Sequence, residues 1–86
     1  MTHDLKCWPE YFRPIMSGQM MACLRVNDRN YRVGDTLRLN EYVPGGFGYT
    51  GDFGFVVITH VVIGGPHVPE GLALLSLKLI KDENDG

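Results

Sequence analysis

The chain has 86 residues, of which 44% are hydrophobic and 21% charged, and its formal net charge is −2 at pH 7. This length supports one hydrophobic core and excludes a second domain, while the mild acidity argues against a protein that coats nucleic acid non-specifically. No apolar run approaches the length of a membrane span, and the first residues do not form a signal-peptide pattern. We therefore expect a cytoplasmic protein without membrane association.

The first part of the sequence predicts a strand, a short helix and a second strand. Leu5–Trp8 is the predicted first strand, and a helix over Pro9–Ser17 follows because proline suits the first helical position and Gly18 suits the end of a helix. Met20–Val26 is the predicted second strand. Its core face is expected to hold the even-numbered residues, which are all apolar: Met20, Ala22, Leu24 and Val26.

The rest of the sequence predicts a turn and three more strands. Asn27–Asn30 is a turn, since Asn and Asp bond their own backbone and tolerate left-handed geometry. Thr36–Tyr42 alternates between apolar and polar residues, and the glycine-rich Gly45–Gly54 is expected to be a long hairpin connection. Phe55–Ile63 is almost wholly apolar and is the predicted central strand. Leu72–Ile80 is compatible with helix or strand, and we assign a strand because the central strand needs a partner.

The predicted elements indicate a mainly β domain of the α+β class with one short early helix. About five or six strands with one helix are typical of a small β-barrel that a helix covers on one side. We expect a single domain over residues 1–80 and an acidic, flexible tail over residues 81–86.

Metal and cofactor sites are not expected. Cys7 and Cys23 are too far apart for a CxxC pair, and the three histidines, at positions 3, 60 and 67, are dispersed. Two cysteines without a signal peptide indicate reduced thiols. The glycine-rich stretch does not match a phosphate-binding loop, because no Gly-Lys-Ser or Gly-Lys-Thr follows it.

Several short motifs occur in order along the chain: Leu5-Lys-Cys-Trp-Pro-Glu-Tyr-Phe12, Gly18, Arg25-Val-Asn-Asp-Arg29, Tyr31-Arg-Val-Gly-Asp35, Glu41-Tyr42 and Tyr49-Thr-Gly51. Together they resemble a branch of the ASCH superfamily, which has a PUA-like β-barrel and includes small stand-alone proteins of bacteria and phages. The resemblance covers residues 3–80 and implies a pocket between the helix, the following strand and the barrel wall. Proteins of this superfamily are associated with RNA or modified nucleobases, and some relatives are enzymes, among them an amidohydrolase of N-acetylated cytidine and a ribonuclease.

The chain departs from the signature of that superfamily, Gly-x-Lys-x-x-(Glu or Thr)-x-Arg. The matching positions here are Gly18, Met20, Cys23 and Arg25, so only the glycine and the arginine are retained. Met20 cannot act as a base or a cation. Cys23 is a weak catalytic candidate, because a thiol attacks only as a thiolate and no sequence-adjacent histidine is available as a base. A small buried side chain is the simpler interpretation of Cys23.

The end of the second strand and the polar turn after it contain four of the seven candidate ligand-binding residues. Arg25 and Arg29 are suited to grip a phosphate or a base edge with two hydrogen bonds each. Asn27 and Asp28 lie between them and complete the polar motif. The alternative is structural: Asp28 pairs with an arginine and Asn27 caps the turn.

Three further candidates are Lys6, Trp8 and Tyr42. Lys6 is either a cation at the mouth of the pocket or a surface residue. Trp8 is suited to stack on a base, although the only tryptophan of a small domain is more simply explained as its core anchor. Tyr42, with Tyr31 and Tyr49, either lines a cleft or covers the end of the barrel.

These features leave three functional hypotheses. The leading one is a non-catalytic PUA-like module that binds RNA, a nucleotide or a modified base. The second is a phage or bacterial accessory protein that binds and modulates a protein partner. The third is a hydrolase that uses Cys23, related to the acetylated-cytidine amidohydrolases. The sequence does not determine the oligomeric state.

Overall fold

A computed structural model describes residues 1–80 as a five-stranded sheet that curls into a half-barrel, with one helix on its inner face. The elements in chain order are β1 (Thr2–Cys7), α1 (Pro9–Met16), β2 (Ala22–Val26), β3 (Thr36–Val43), β4 (Gly48–Ile63) and β5 (Leu72–Leu79). The strand order in the sheet is β1-β3-β4-β5-β2. β1 is parallel to β3, and the other pairs are antiparallel.

The structure confirms a mainly β fold with one short early helix. β4 is the middle strand of the sheet, as predicted for Phe55–Ile63, and Leu72–Leu79 is a strand rather than a helix. The sheet does not close into a barrel within residues 1–80, because β1 and β2 remain its two edges. The predicted acidic tail at residues 81–86 lies outside the described residues.

Alternating residues of β1, β3 and β5 build the core on the inner face of the sheet. This follows from the period of a strand, in which every second side chain points to the same side. α1 covers this face with two buried side chains three positions apart, Phe12 and Ile15. The main buried apolar residues of the three strands are Leu5, Cys7, Leu37, Leu39, Ala73, Leu75 and Leu77.

The core-anchor interpretation of Trp8 is wrong. Cys7 is buried at the end of β1, so the next residue leaves the inner face, and Trp8 is 46% exposed. Trp8 occupies the N-cap position of α1 instead. Its carbonyl oxygen accepts hydrogen bonds from the backbone N–H groups of Tyr11 (2.9 Å) and Phe12 (2.8 Å).

β2 presents to the core the face opposite to the predicted one. Leu24 and Val26 are exposed, whereas Cys23 packs against the core and pairs with the fully buried Leu75 of β5. Because β2 is an edge strand, its register with β5 decides which face points inward. The uniform apolar character of the even-numbered residues therefore predicted the wrong face.

The glycine-rich segment is a loop only in its first part. β4 already begins at Gly48, so the predicted hairpin connection over Gly45–Gly54 is too long. Gly54 lies opposite Leu39 in the sheet, and a Cβ atom at this position would clash with the Sδ atom of Met16 in α1. Glycine within the strand thus allows the helix to approach the sheet closely.

Candidate ligand-binding cleft

An open cleft of about 880 Å³ lies where the edge strands β1 and β2 approach each other. Its polar lining combines cations, acids, an amide and two phenol rings, and its apolar lining comes from β1 and the outer face of β2. The charged lining residues are Lys6, Arg25, Arg29, Asp4 and Asp28, and the other lining residues are Asn40, Tyr31, Tyr49, Leu5, Leu24 and Val26.

Arg25 spans the gap between the two edges. It shares the inward-directed face of β2 with Cys23, and its Nη2 atom donates a hydrogen bond of 3.1 Å to the carbonyl oxygen of Lys6 in β1. The same guanidinium lies close to Tyr31. Burial raises the pKa of the Tyr31 hydroxyl, although the neighbouring Arg25 acts in the opposite direction. Arg25 therefore forms part of the cleft floor and also joins the edges of the sheet.

The turn after β2 places a weakly paired cation at the rim. The Nε atom of Arg29 lies 3.9 Å from Oδ1 of Asp28, beyond hydrogen-bond distance, and both side chains are exposed. An exposed pair of this kind contributes little to stability. Asn30 has a φ of 50°, which confirms the predicted left-handed turn geometry. The guanidinium of Arg29 is consequently accessible to a ligand.

The opposite rim holds Lys6 above two tyrosine rings. Its Nζ atom lies 4.5 Å from the ring centroid of Tyr42 and 6.0 Å from that of Tyr49. The two rings pack edge to face at 5.0 Å. Tyr49 lines the cleft, and Tyr42 supports both Lys6 and Tyr49 from outside it.

Sequence reasoning missed two polar residues of the cleft, Asp4 and Asn40. The Nδ2 atom of Asn40 donates to Oδ1 of Asp4 (3.2 Å) and to the carbonyl oxygen of Leu5 (3.2 Å). These residues meet because β1 and β3 are parallel neighbours, with Lys6 opposite Asn40. A strand pairing between distant segments leaves no local signal in the sequence.

Four of the seven predicted ligand-binding residues line the cleft: Lys6, Arg25, Asp28 and Arg29. The other three do not. Trp8 lies at the start of α1, Tyr42 lies behind Tyr49, and the backbone N–H of Asn27 donates to the carbonyl oxygen of Gly71 (2.9 Å).

The two cysteines are free thiols on the inner side of the edge strands. Burial raises the pKa of the Cys23 thiol to about 11, with Arg25 acting in the opposite direction, and burial also raises the pKa of Cys7. A thiol with this pKa is almost entirely protonated at neutral pH and is a poor nucleophile.

A buried hydrogen bond between His3 and Asp35 supports the floor of the cleft from behind. The Nε2 atom of His3 lies 2.9 Å from Oδ2 of Asp35, and the His3 ring packs edge to face on Tyr31 at 5.1 Å. The backbone N–H of Arg32 also donates to Oδ2 of Asp35 (3.2 Å). The His3 hydrogen bond is the main reason that the pKa of Asp35 lies below its usual range.

A family model described as "Domain of unknown function (DUF3850)" matches residues 2–77. The chain belongs to the DUF3850 family. The DUF3850 match spans β1 to most of β5 and so includes every residue that lines the cleft. The chain is also similar to the "Uncharacterized 12.9 kDa protein in GpA 3'region" of Escherichia phage P2, with 44% identity over 45 residues. This alignment covers 52% of the chain and 41% of the phage protein, so the chain matches less than half of that relative.

Two further properties concern the described part of this DUF3850 protein. Its single helix is too short to cross a membrane. Residues 1–80 contain no group of three or more His, Cys, Asp or Glu side chains placed to hold a metal ion.

Proposed function

We propose that this DUF3850 protein binds RNA, a nucleotide or a modified base in the cleft between β1 and β2, without catalysing a reaction. The observation that carries the proposal is the placement of Lys6, Arg25 and Arg29 around one open cleft of about 880 Å³. Cavities of several hundred Å³ are of the size that small ligands occupy. Two guanidiniums and an ammonium group are suited to an anionic phosphate.

The remaining lining residues are suited to a nucleobase. Asp4 and Asp28 offer acceptors for the N–H groups of a base, and Asn40 offers its Oδ1 atom as a further acceptor, since its Nδ2 group already donates to Asp4 and to the carbonyl oxygen of Leu5. Tyr49 is exposed at the rim, where its ring can stack on a base. This mixture of cations, acceptors and a ring fits a nucleotide better than it fits a simple anion.

The resemblance to PUA-like proteins of the ASCH superfamily is consistent with this role. The half-barrel, the early helix and the ordered motifs support a PUA-like assignment, and we place the protein in the cytoplasm on account of its two free thiols. Met20 at the signature lysine position and the raised pKa of Cys23 argue against an inherited hydrolase activity.

The test is a titration of the isotope-labelled chain with nucleoside monophosphates and short single-stranded RNA, followed by NMR. We expect shifts for residues that line the cleft and loss of binding in the double variant Arg25→Ala/Arg29→Ala. Arg29→Ala alone should weaken binding without breaking the bond between Arg25 and Lys6. Arg32→Ala is the matched control, because Arg32 is exposed and does not line the cleft. If neither kind of ligand shifts the cleft residues, the proposal is wrong.

A protein partner is the second candidate function. The exposed side chains of Leu24 and Val26 give the outer face of β2 an apolar character, next to Leu72 and Leu74 of β5. A stoichiometric protein captured from nuclease-treated lysate, and lost with Leu24→Ser/Val26→Ser, would favour this function. The third candidate, a hydrolase, requires turnover of acylated cytidine or RNA that Cys23→Ala abolishes.

A further inference from the structure

The outer face of the sheet carries exposed aromatic rings on β4 and two cations, Lys6 of β1 and Arg38 of β3, beside the cleft. We propose that this surface, defined by Lys6, Arg38, Tyr49, Phe53 and Phe55 and called here the aromatic face, is a stacking platform for consecutive unpaired nucleotides of a single-stranded nucleic acid. The inference rests on the proposed function, since it extends the ligand of the cleft from one nucleotide to a strand.

The rings of the aromatic face are not part of the core. Phe53 is 51% exposed and Phe55 39% exposed, although both are large and apolar. They share one side of β4 and pack edge to face with centroids 5.9 Å apart. Tyr49 lies earlier on the same strand, beyond a register shift in the pairing of β3 with β4. It pairs with Tyr42 of β3. Single exposed rings are ordinary, but neighbouring rings on one face of a sheet form an apolar patch, and such patches mark interaction sites.

Each pair of rings has a cation against it. The guanidinium carbon of Arg38 lies 4.3 Å from the ring centroid of Phe53, and Lys6 lies above the ring of Tyr42. The Nε atom of Arg38 is buried and has no hydrogen-bond partner among the described residues. Asp4 is 4.0 Å from this atom and already accepts a hydrogen bond from Asn40. Arg38 thus packs on the ring of Phe53, and Asp4 neutralises its charge only weakly.

Rings alternating with cations are suited to single-stranded nucleic acid. Bases stack on aromatic side chains whatever their identity, while lysine and arginine contact the phosphates. A double helix hides the faces of its bases and cannot use the rings in this way. An apolar protein segment would leave the charges of Lys6 and Arg38 without partners.

The aromatic face is continuous with the cleft. Lys6 and Tyr49 belong to both, and Asn40, which lines the cleft, lies directly opposite Phe53 in the sheet. A single-stranded nucleic acid with one nucleotide in the cleft can therefore continue over Phe53 and Phe55. The occupant that fits both surfaces is one continuous, unpaired chain.

The test compares binding of uridine monophosphate and of fluorescein-labelled octauridylate to the full chain. We expect Phe53→Leu/Phe55→Leu to weaken binding of octauridylate at least about tenfold, since each lost stack removes a substantial part of the affinity. Binding of the monophosphate should not change. Phe47→Leu is the matched control, because Phe47 is 92% exposed but lies in the hairpin before β4, outside the aromatic face.

A second variant separates stacking from loss of folding. Arg38→Gln removes the charge at a half-buried position and should also weaken binding of octauridylate while the thermal unfolding curve stays the same. The inference is overturned, and the proposed function retained, if the monophosphate binds but octauridylate binds no tighter. It is likewise overturned if the face variants bind octauridylate normally or if duplex RNA binds better. If neither uridine monophosphate nor octauridylate binds, both the inference and the proposed function are overturned.

Discussion

The guanidinium of Arg25 in β2 donates a hydrogen bond of 3.1 Å to the carbonyl oxygen of Lys6 in β1, and so joins the two edges of the half-barrel. This side chain therefore links two strands that are not joined by backbone hydrogen bonds. The same contact fixes the floor of the cleft. Stability and the proposed ligand binding are therefore expected to be coupled at Arg25.

Replacing Arg25 should measure this coupling. Arg25→Ala is expected to lower the free energy of unfolding by about 0.5–1.5 kcal/mol, because it removes one hydrogen bond at a partly exposed site. Urea unfolding followed by circular dichroism gives the value. Arg32→Ala, which removes an equal charge outside the cleft, should change stability much less. Equal stability of Arg25→Ala and the unmodified chain would show that the contact does not hold the edges together.

The close approach of α1 to β4 predicts a penalty for any side chain at Gly54. Gly54→Ala is expected to destabilise the fold by about 1 kcal/mol, at the low end of the cost of overpacking, because the new Cβ atom would displace only the flexible end of the Met16 side chain. The backbone at Gly54 does not have a positive φ, so the cost comes from packing rather than from strain.

A double-mutant cycle isolates that packing effect. In the Met16→Ala background the space above Gly54 is empty, and Gly54→Ala should cost little or become stabilising. Chemical unfolding of the four proteins gives the coupling energy between the two positions. A coupling energy near zero would contradict the contact between α1 and β4.

The hydrogen bond between His3 and Asp35 predicts a loss of stability in acid. The hydrogen bond from His3 lowers the pKa of Asp35 in the folded state, so the folded protein releases this proton more readily than the unfolded chain. The resulting stabilisation is present above the unfolded pKa of about 4 and is lost as the pH falls through the lower folded value.

Unfolding free energies measured between neutral and strongly acidic pH test this dependence. Asp35→Asn should have a lower free energy of unfolding at neutral pH than the unmodified chain. Its free energy of unfolding should also fall less steeply as the pH is lowered. Asp52→Asn, at an exposed position of β4, should keep the decline of the unmodified chain. If Asp35→Asn loses stability in acid as the unmodified chain does, the hydrogen bond between His3 and Asp35 is not the source of that loss.

The buried thiol of Cys23 should react slowly with alkylating reagents. With a pKa of about 11 instead of the ordinary 9.0, its thiolate population near pH 8 is reduced about 100-fold, and iodoacetamide modification should be slower by at least that factor than in the urea-unfolded chain. Peptide mass spectrometry of timed samples gives the rate. Rapid modification of Cys23 in the folded protein would favour the hydrolase hypothesis.

Local patterns were sufficient for most of the elements and for part of the site. The proline and the apolar spacing of α1, the alternation of Leu37 and Leu39, and the apolar run of β4 each carry a signal within a few residues. Arg25 and Arg29 were found because they belong to one contiguous polar motif at the end of β2, whereas Lys6 was found through the opening motif of the resemblance. Asp4 and Asn40 were missed because they meet only through the parallel pairing of β1 and β3.

The sequence by itself determined a mainly β chain with one early helix, a left-handed turn near Asn30 and a cluster of cations beside that turn. The tertiary structure alone decided that the sheet stays open between β1 and β2, that β2 turns Cys23 and Arg25 inward, and that Phe53 and Phe55 face outward. The physical reason is that the faces of an edge strand are assigned by its register with one neighbour. In β2 both faces carry apolar residues, so hydrophobicity alone could not choose between them.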